Sequence, residues 1–101
     1  MFTDSSRILD RAHHVLAGGP GTFSKHESRY PHGFTPDAIT HGCGAYVVGT
    51  NGRRYLDTVA SLGTNLLGYG HPAVQDAIMQ QLACGTSFSM LHPLEVEVAE
   101  L

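Results

Sequence analysis

A glycine-rich stretch, residues 63–72, carries residue types that can build a binding site. It reads Gly-Thr-Asn-Leu-Leu-Gly-Tyr-Gly-His-Pro, and a helical pattern follows it. Glycine permits positive φ and close backbone approach, and proline suits the first turn of a helix. The unpaired N–H groups of such a helix start can hold an anion. The alternative is a connection that only has to turn, as most glycine-rich segments do.

Part of this stretch, Gly68 to Ala73, matches the G-x-G-x-x-G/A pattern of dinucleotide-binding loops. That loop needs a β-strand running into its first glycine, and residues 63–65 interrupt any such strand. Pro72 also removes a donor near the place where a pyrophosphate would bind. We therefore interpret the stretch as a structural turn that begins a helix, with His71 capping that helix rather than acting in catalysis.

Seven histidines raise the question of a metal site. They stand at positions 13, 14, 26, 32, 41, 71 and 92, and the two cysteines are Cys43 and Cys84. No histidine pair has the i, i+4 spacing of a helical zinc site, and neither cysteine forms a ligand knuckle with a close neighbour. We therefore expect exposed or helix-capping histidines and no metal ligands.

Asp57 is a further candidate because it follows Tyr55-Leu56 at a predicted strand end. A carboxylate there can act as a base or accept hydrogen bonds from loop N–H groups. The sequence fixes no second carboxylate or histidine beside it, so the structural role is favoured. No Ser-His-Asp or Cys-His order has a motif to anchor it.

The composition restricts the class of protein. The chain has 101 residues, of which 15% are charged, against about a quarter in an average protein. A low charged fraction is typical of a surface covered by a partner or by the rest of a longer chain. The net charge of −3 argues against a nucleic-acid-binding face, and no apolar run approaches the ~20 residues that span a membrane. Two cysteines without close spacing predict a reduced, cytoplasmic setting, and the start has no pattern of a secretory signal.

Hydrophobic spacing predicts the regular elements that position these residues. Helices are predicted over residues 4–17, capped by Thr3 or Asp4, and over residues 72–84, ended by Gly85. Residues 38–57 are predicted to form a β-meander with a hairpin at an Asn-Gly pair.

Two further segments have less regular patterns. Residues 18–37 show no period but include Phe23, Tyr30 and Phe34, so we expect them to line a pocket rather than to be disordered. A third helix opens at Pro93 and lacks a C-terminal cap. We therefore expect the chain to be the front part of a longer protein.

Six motifs, read in chain order, are similar to one enzyme family. They lie at residues 18–25, 42–47, 51–57, 61–72, 85–88 and 95–99. In this order and spacing the chain resembles the N-terminal part of class III pyridoxal-phosphate-dependent aminotransferases, most closely the glutamate-1-semialdehyde 2,1-aminomutase branch.

The resemblance implies an α/β fold, with the chain forming an incomplete domain of a fold type I transferase. It implies residues 1–36 as an N-terminal helix and pocket-lining loop, and residues 37–101 as the β-meander and first helices of the large domain. The implied cofactor is pyridoxal 5'-phosphate, and the implied assembly is a homodimer without nucleic-acid or membrane partners. The implied reaction moves an amino group to or within a small amino or oxo substrate through a Schiff base.

The resemblance also implies three substrate-binding residues. Lys25 falls where the aminomutase branch has an arginine that binds a carboxylate, Thr22 falls on a nearby pocket serine, and Leu62 falls on a tryptophan beside the cofactor. Lysine meets a carboxylate as a point charge rather than a fork, and leucine lacks a flat aromatic face. These departures favour an amino donor different from the aminomutase substrate.

Lys25 is the sole lysine, and it lies outside the family's Schiff-base motif. We therefore expect no catalytic or cofactor-binding residue in this chain and no activity of the chain alone. The alternative is a non-catalytic module that binds a partner through its apolar helix faces, or a degenerate remnant of such an enzyme.

Overall fold

The computed structural model describes residues 5–31 and 33–101, with side chains described from Ile8 onward. The helices are α1 (Ser5–Val15), α2 (Pro72–Cys84) and α3 (Pro93–Glu100), and the strands are β1 (Ile39–Cys43), β2 (Tyr46–Gly49) and β3 (Arg54–Leu56). Short 3₁₀ segments lie at Phe23–Lys25, Glu27–Arg29 and Ala60–Gly63. The chain divides after Gly70 into two compact units. The predicted division after residue 36 stays a prediction.

The three strands form one antiparallel sheet in the order β1-β2-β3, which confirms the predicted meander. The predicted Asn-Gly hairpin joins β2 to β3, and its turn is closed by the Gly49 amide donating to the Arg53 carbonyl at 3.0 Å. Val47 on the central strand faces Tyr55 on β3. Among the described apolar side chains, Val47 alone is buried, at 3% exposure.

Helix α1 is shorter than predicted, because it ends at Val15 rather than at residue 17. Gly18 and Gly19 both adopt positive φ, and the Gly19 amide donates to the Leu16 carbonyl, so the backbone has already left the helix. The predicted start at residue 4 and the predicted caps Thr3 and Asp4 lie outside the described residues.

Helix α2 has the bounds that the sequence predicts, and Gly85 ends it at φ 106°, a conformation that L side chains rarely adopt. His71 occupies the N-cap position, as predicted, but its side chain makes no capping hydrogen bond. The prediction that this side chain caps the helix is therefore wrong. Position N3 of α2 is Val74, which cannot return a hydrogen bond to the backbone of the cap residue.

Helix α3 shows the capping that α2 lacks. His92 accepts from the Leu94 amide through Nδ1 at 3.2 Å, and the Glu95 carboxylate accepts from the His92 amide at 2.8 Å. Phe88 stacks on the His92 ring with centroids 5.1 Å apart. The expectation of helix-capping histidines is thus confirmed at His92 rather than at His71.

Neither α2 nor α3 contains a buried residue, so both leave their apolar side chains exposed. Leu66 and Met90 are each 84% exposed, and other large apolar residues are similar. Helices with a three-stranded sheet and almost no core agree with the predicted incomplete α/β domain. Within the described part of the chain, no helix has the length and hydropathy to cross a membrane.

Candidate functional site

Thr22 and Lys25, two of the three predicted substrate-binding residues, lie in one turn. Thr22 is the N-cap residue of the 3₁₀ segment Phe23–Lys25, and the Lys25 amide donates to the Thr22 carbonyl at 3.0 Å. The Thr22 hydroxyl lies 3.2 Å from the Ser24 hydroxyl and does not cap the turn. Both predicted side chains are exposed, so their hydroxyl and ammonium groups are available to a ligand.

The loop that carries this turn is tied to itself by side chains. The Arg29 guanidinium lies 3.9 Å above the centre of the Phe23 ring. The Tyr30 hydroxyl donates to the Ser24 carbonyl at 3.1 Å. Because these contacts join both ends of the two 3₁₀ segments, the loop around Lys25 has a defined shape, although its sequence shows no period.

A further contact joins this loop to α1. His13 Nε2 and Glu27 Oε1 share a hydrogen bond of 3.0 Å, and the His13 and His26 rings meet edge to face with centroids 6.5 Å apart. His26 also accepts from the Ser28 amide through Nδ1 at 3.2 Å and so caps the segment Glu27–Arg29. His26 is therefore a capping histidine, as expected, and His13 holds the loop against α1.

Leu62, the third predicted residue, lies on a separate turn with unusual backbone geometry. Ala60, Ser61 and Leu62 all have positive φ, at 46°, 51° and 58°. Left-handed backbone costs an L residue about 1–2 kcal/mol, so three in succession need support from their surroundings. The turn leaves the Leu62 side chain 73% exposed.

Asp57 supplies that support through both carboxylate oxygens. Its Oδ1 accepts from the amides of Val59 at 2.9 Å and Ala60 at 3.1 Å, and its Oδ2 accepts from the Tyr69 hydroxyl at 2.6 Å. The Tyr69 hydrogen bond holds the pKa of Asp57 below its ordinary value of 3.8; partial burial opposes this shift, and the two amides add to it. The predicted structural role of Asp57 is therefore confirmed.

Tyr69 is itself held against the end of β1. Its amide and carbonyl form a pair of 2.8 Å hydrogen bonds with the carbonyl and amide of Gly44. Its ring covers Gly42 so closely that a Cβ there would lie 2.4 Å from the Tyr69 Cγ. Gly68 lies against the Gly44 carbonyl at φ +83°, where only glycine fits without strain. The sheet thus fixes Tyr69, and Tyr69 fixes Asp57.

The second unit contains an open groove of about 520 Å³. It is lined by Gln81, Thr86, Ser87, Phe88, His92, Leu94 and Glu95. Gln81 donates to the Gly85 carbonyl, and His92 and Glu95 cap α3, so these polar side chains already serve the local structure. None of the predicted site residues lines this groove.

The surroundings of Lys25 bear on whether this side chain could form a Schiff base. A lysine that reacts with a carbonyl group must lose its proton, which usually requires burial or a nearby cation. Lys25 is exposed on its turn, and it is the sole lysine of the sequence. In residues 5–31 and 33–101 no three histidine, cysteine or acidic residues are grouped in a way that could hold a metal ion.

Comparison with known proteins decides the family. The sequence profile described as Aminotransferase class-III matches residues 29–100. The chain belongs to the class III aminotransferase family. The family and the α/β fold class predicted from the motifs are thereby confirmed.

Individual relatives agree with this result. A glutamate-1-semialdehyde 2,1-aminomutase from Deinococcus radiodurans is 49% identical over 69 residues, which cover 68% of this chain and 16% of that protein. A protein of the same name from Thermomicrobium roseum is 36% identical over 99 residues, covering 98% of this chain and 23% of that protein. The solved structure "Transaminase with PLP bound" has a TM-score of 0.78 and 32% identity, covering 99% of this chain and 22% of that one.

The chain therefore spans about a sixth to a quarter of the length of the relatives it matches. The roles predicted from sequence for Thr22, Lys25 and Leu62 stay predictions, and sequence reasoning missed the part that Tyr69 plays in fixing Asp57. The sequence signal for it is weak: Tyr69 lies 12 residues beyond Asp57, and the missing side chain of Gly42 on β1 leaves room for its ring.

Proposed function

We propose that this chain is the N-terminal portion of a pyridoxal-phosphate-dependent class III aminotransferase or aminomutase. The observation that carries the proposal is the family match over residues 29–100, most of the chain. The whole protein then moves an amino group to or within a small amino or oxo substrate. We further propose that it acts in the cytoplasm as a homodimer.

Within that protein, Thr22, Lys25 and Leu62 form part of the substrate pocket. The Lys25 ammonium binds a substrate carboxylate as a point charge, and the Thr22 hydroxyl on the same turn offers a hydrogen bond. Leu62 provides an apolar wall. The exposure of all three side chains supports this proposal, because each can contact a ligand without rearrangement.

Pyridoxal phosphate supplies the electron sink of the amino transfer when it is bound to the whole protein. The residues that hold it belong to other parts of that protein. The chain described here contributes a substrate-binding wall and stays inactive alone. The predicted two-part organisation, with a pocket-lining loop in residues 1–36 and the meander and helices in residues 37–101, belongs to the same proposal.

The proposal is tested with two purified samples, the whole protein and residues 1–101. With pyridoxal phosphate, the whole protein should convert an amino donor and an oxo acceptor into the corresponding oxo and amino products. Residues 1–101 should give no stoichiometric absorbance change with pyridoxal phosphate beyond that of an exposed lysine in an unrelated peptide.

Two results would contradict the proposal. A specific one-to-one adduct on residues 1–101 would show that the segment holds the cofactor itself. Absence of amino transfer by the whole protein, over a panel of amino acids and amines, would favour the non-catalytic partner-binding module.

A further inference from the structure

The turn at residues 60–62 has a conformation that its own sequence does not favour. Three successive residues, Ala60, Ser61 and Leu62, lie in the left-handed region. Single glycine, asparagine or aspartate residues adopt that region readily, whereas alanine, serine and leucine do not. The conformation must therefore be imposed by contacts from outside the three residues.

Those contacts come from Asp57 and, through it, from Tyr69. The Asp57 carboxylate accepts from the amides of Val59 and Ala60, which fixes the direction of the backbone as it enters the turn. The other oxygen of the carboxylate is held by the Tyr69 hydroxyl at 2.6 Å. Tyr69 cannot follow a moving Asp57, because its backbone is hydrogen-bonded to Gly44 in the turn between β1 and β2.

A second set of hydrogen bonds reports on the turn without touching Asp57. The Leu62 amide donates to the Val59 carbonyl at 2.9 Å, and the Asn65 amide donates to the Ala60 carbonyl at 3.1 Å. The Asn65 bond spans Ser61 and Leu62, and both bonds depend on the backbone path between Val59 and Asn65. Their amide protons therefore measure how much of the time the turn is formed.

We propose that Asp57 and Tyr69 are positioning residues that keep residues 60–62 left-handed and so fix the side chain of Leu62 against the substrate. This inference rests on the proposed pocket role of Leu62. If the turn relaxed to right-handed backbone, the Leu62 side chain would leave its place and the pocket wall would change shape. Asp57 and Tyr69 thereby set donor selectivity without contacting the donor.

The test uses the whole protein and measures two quantities. One is the hydrogen-exchange rate of the Leu62 and Asn65 amides. The other is the ratio of kcat/KM for a bulky apolar amino donor to that for a small donor. We expect Asp57→Ala to accelerate both amides about ten-fold or more, because a charge-assisted hydrogen-bond acceptor is lost, and to change the selectivity ratio.

Three variants separate positioning from general loss of stability. Asp57→Asn keeps an oxygen that accepts from the Val59 and Ala60 amides, so we expect exchange rates near those of the unaltered protein. Asp57→Ala combined with Ser61→Gly should recover most of the lost protection, because glycine adopts positive φ without strain. Asp76→Ala on the exposed side of α2 is the matched control and should change neither quantity.

The outcomes are distinct. Unchanged exchange in Asp57→Ala, or a loss that the Ser61→Gly variant does not recover, would overturn the proposal. If Asp57→Ala accelerates exchange of the Leu62 and Asn65 amides but leaves the donor selectivity ratio unchanged, the turn does not control substrate choice, and that part of the proposal is overturned. A protein without amino transfer but with the expected exchange pattern would refute the proposed function while supporting the positioning of Leu62 by Asp57.

Discussion

Replacing Gly42 by alanine should break the contact between the sheet and Tyr69. The new Cβ would lie 2.4, 2.7 and 2.8 Å from the Cγ, Cδ1 and Cδ2 atoms of the Tyr69 ring. Real Cβ atoms essentially never approach other heavy atoms below 3.0 Å. These atoms belong to the base of the ring, so the whole side chain must move and its hydroxyl must leave Asp57.

The expected cost follows from these two effects. Overpacking costs about 1–3 kcal/mol. Loss of a hydrogen bond to a charged group costs about 1.5–3 kcal/mol, and partial exposure of Asp57 places it at the lower end of that range. Together they give about 2.5–5 kcal/mol for local opening, and each 1.4 kcal/mol is about a ten-fold change in population. Exchange at the Gly44 and Tyr69 amides should therefore accelerate about 60-fold or more.

Hydrogen exchange of these two amides in the whole protein is the assay. Gly21→Ala is the matched control, because Gly21 has ordinary φ and open space around its Cβ position. In a Tyr69→Ala background the cost of Gly42→Ala should shrink, because the Cγ, Cδ1 and Cδ2 atoms that cause the clash are absent. Equal exchange in Gly42→Ala and Gly21→Ala, or the same cost in both backgrounds, would refute the packing described for Tyr69.

Two further predictions concern titration and capping. Because the folded-state pKa of Asp57 lies below its ordinary value of 3.8, its contribution to stability is complete above pH 3.8 and is lost as pH falls through the lowered pKa. Asp57→Asn should remove this part of the pH dependence of the unfolding free energy, measured by urea titration at several pH values. His92→Ala should destabilise α3 by about 0.5–2 kcal/mol, because it removes the side-chain acceptor for the Leu94 amide, while the backbone amide at position 92 can still donate to Glu95. His71→Ala should cost α2 no capping energy, and equal loss of helical carbon-13 shifts in both variants would contradict this difference.

The regular elements were predictable because their signals are local. The spacing of apolar residues and the flanking Pro72 and Gly85 determine the bounds of α2. The Asn-Gly pair determines the hairpin between β2 and β3. The capping difference between the two His-Pro helix starts was also present in the sequence, since only α3 has an acidic residue, Glu95, at N3.

The candidate site was predictable only in part, because its geometry depends on contacts between distant residues. The left-handed turn before Leu62 has no local signal, since it is imposed by Asp57 and Tyr69. The shape of the loop around Lys25 depends on the Arg29 guanidinium over the Phe23 ring and on the hydrogen bond of His13. Hydrophobic periodicity in the sequence reveals neither contact. The substrate roles of Lys25 and Leu62 remain predictions.

The most direct measurement of the proposed function is the donor preference of the whole protein with and without the charge at Lys25. Amino transfer should be measured from an amino acid and from the corresponding amine that lacks the carboxylate. We expect Lys25→Met to raise KM for the amino acid about three- to ten-fold, as loss of a partly exposed ion pair implies, while Lys25→Arg retains the preference. Arg53→Met on the hairpin is the matched control. No amino transfer, or a preference unchanged by Lys25→Met, would contradict the proposal.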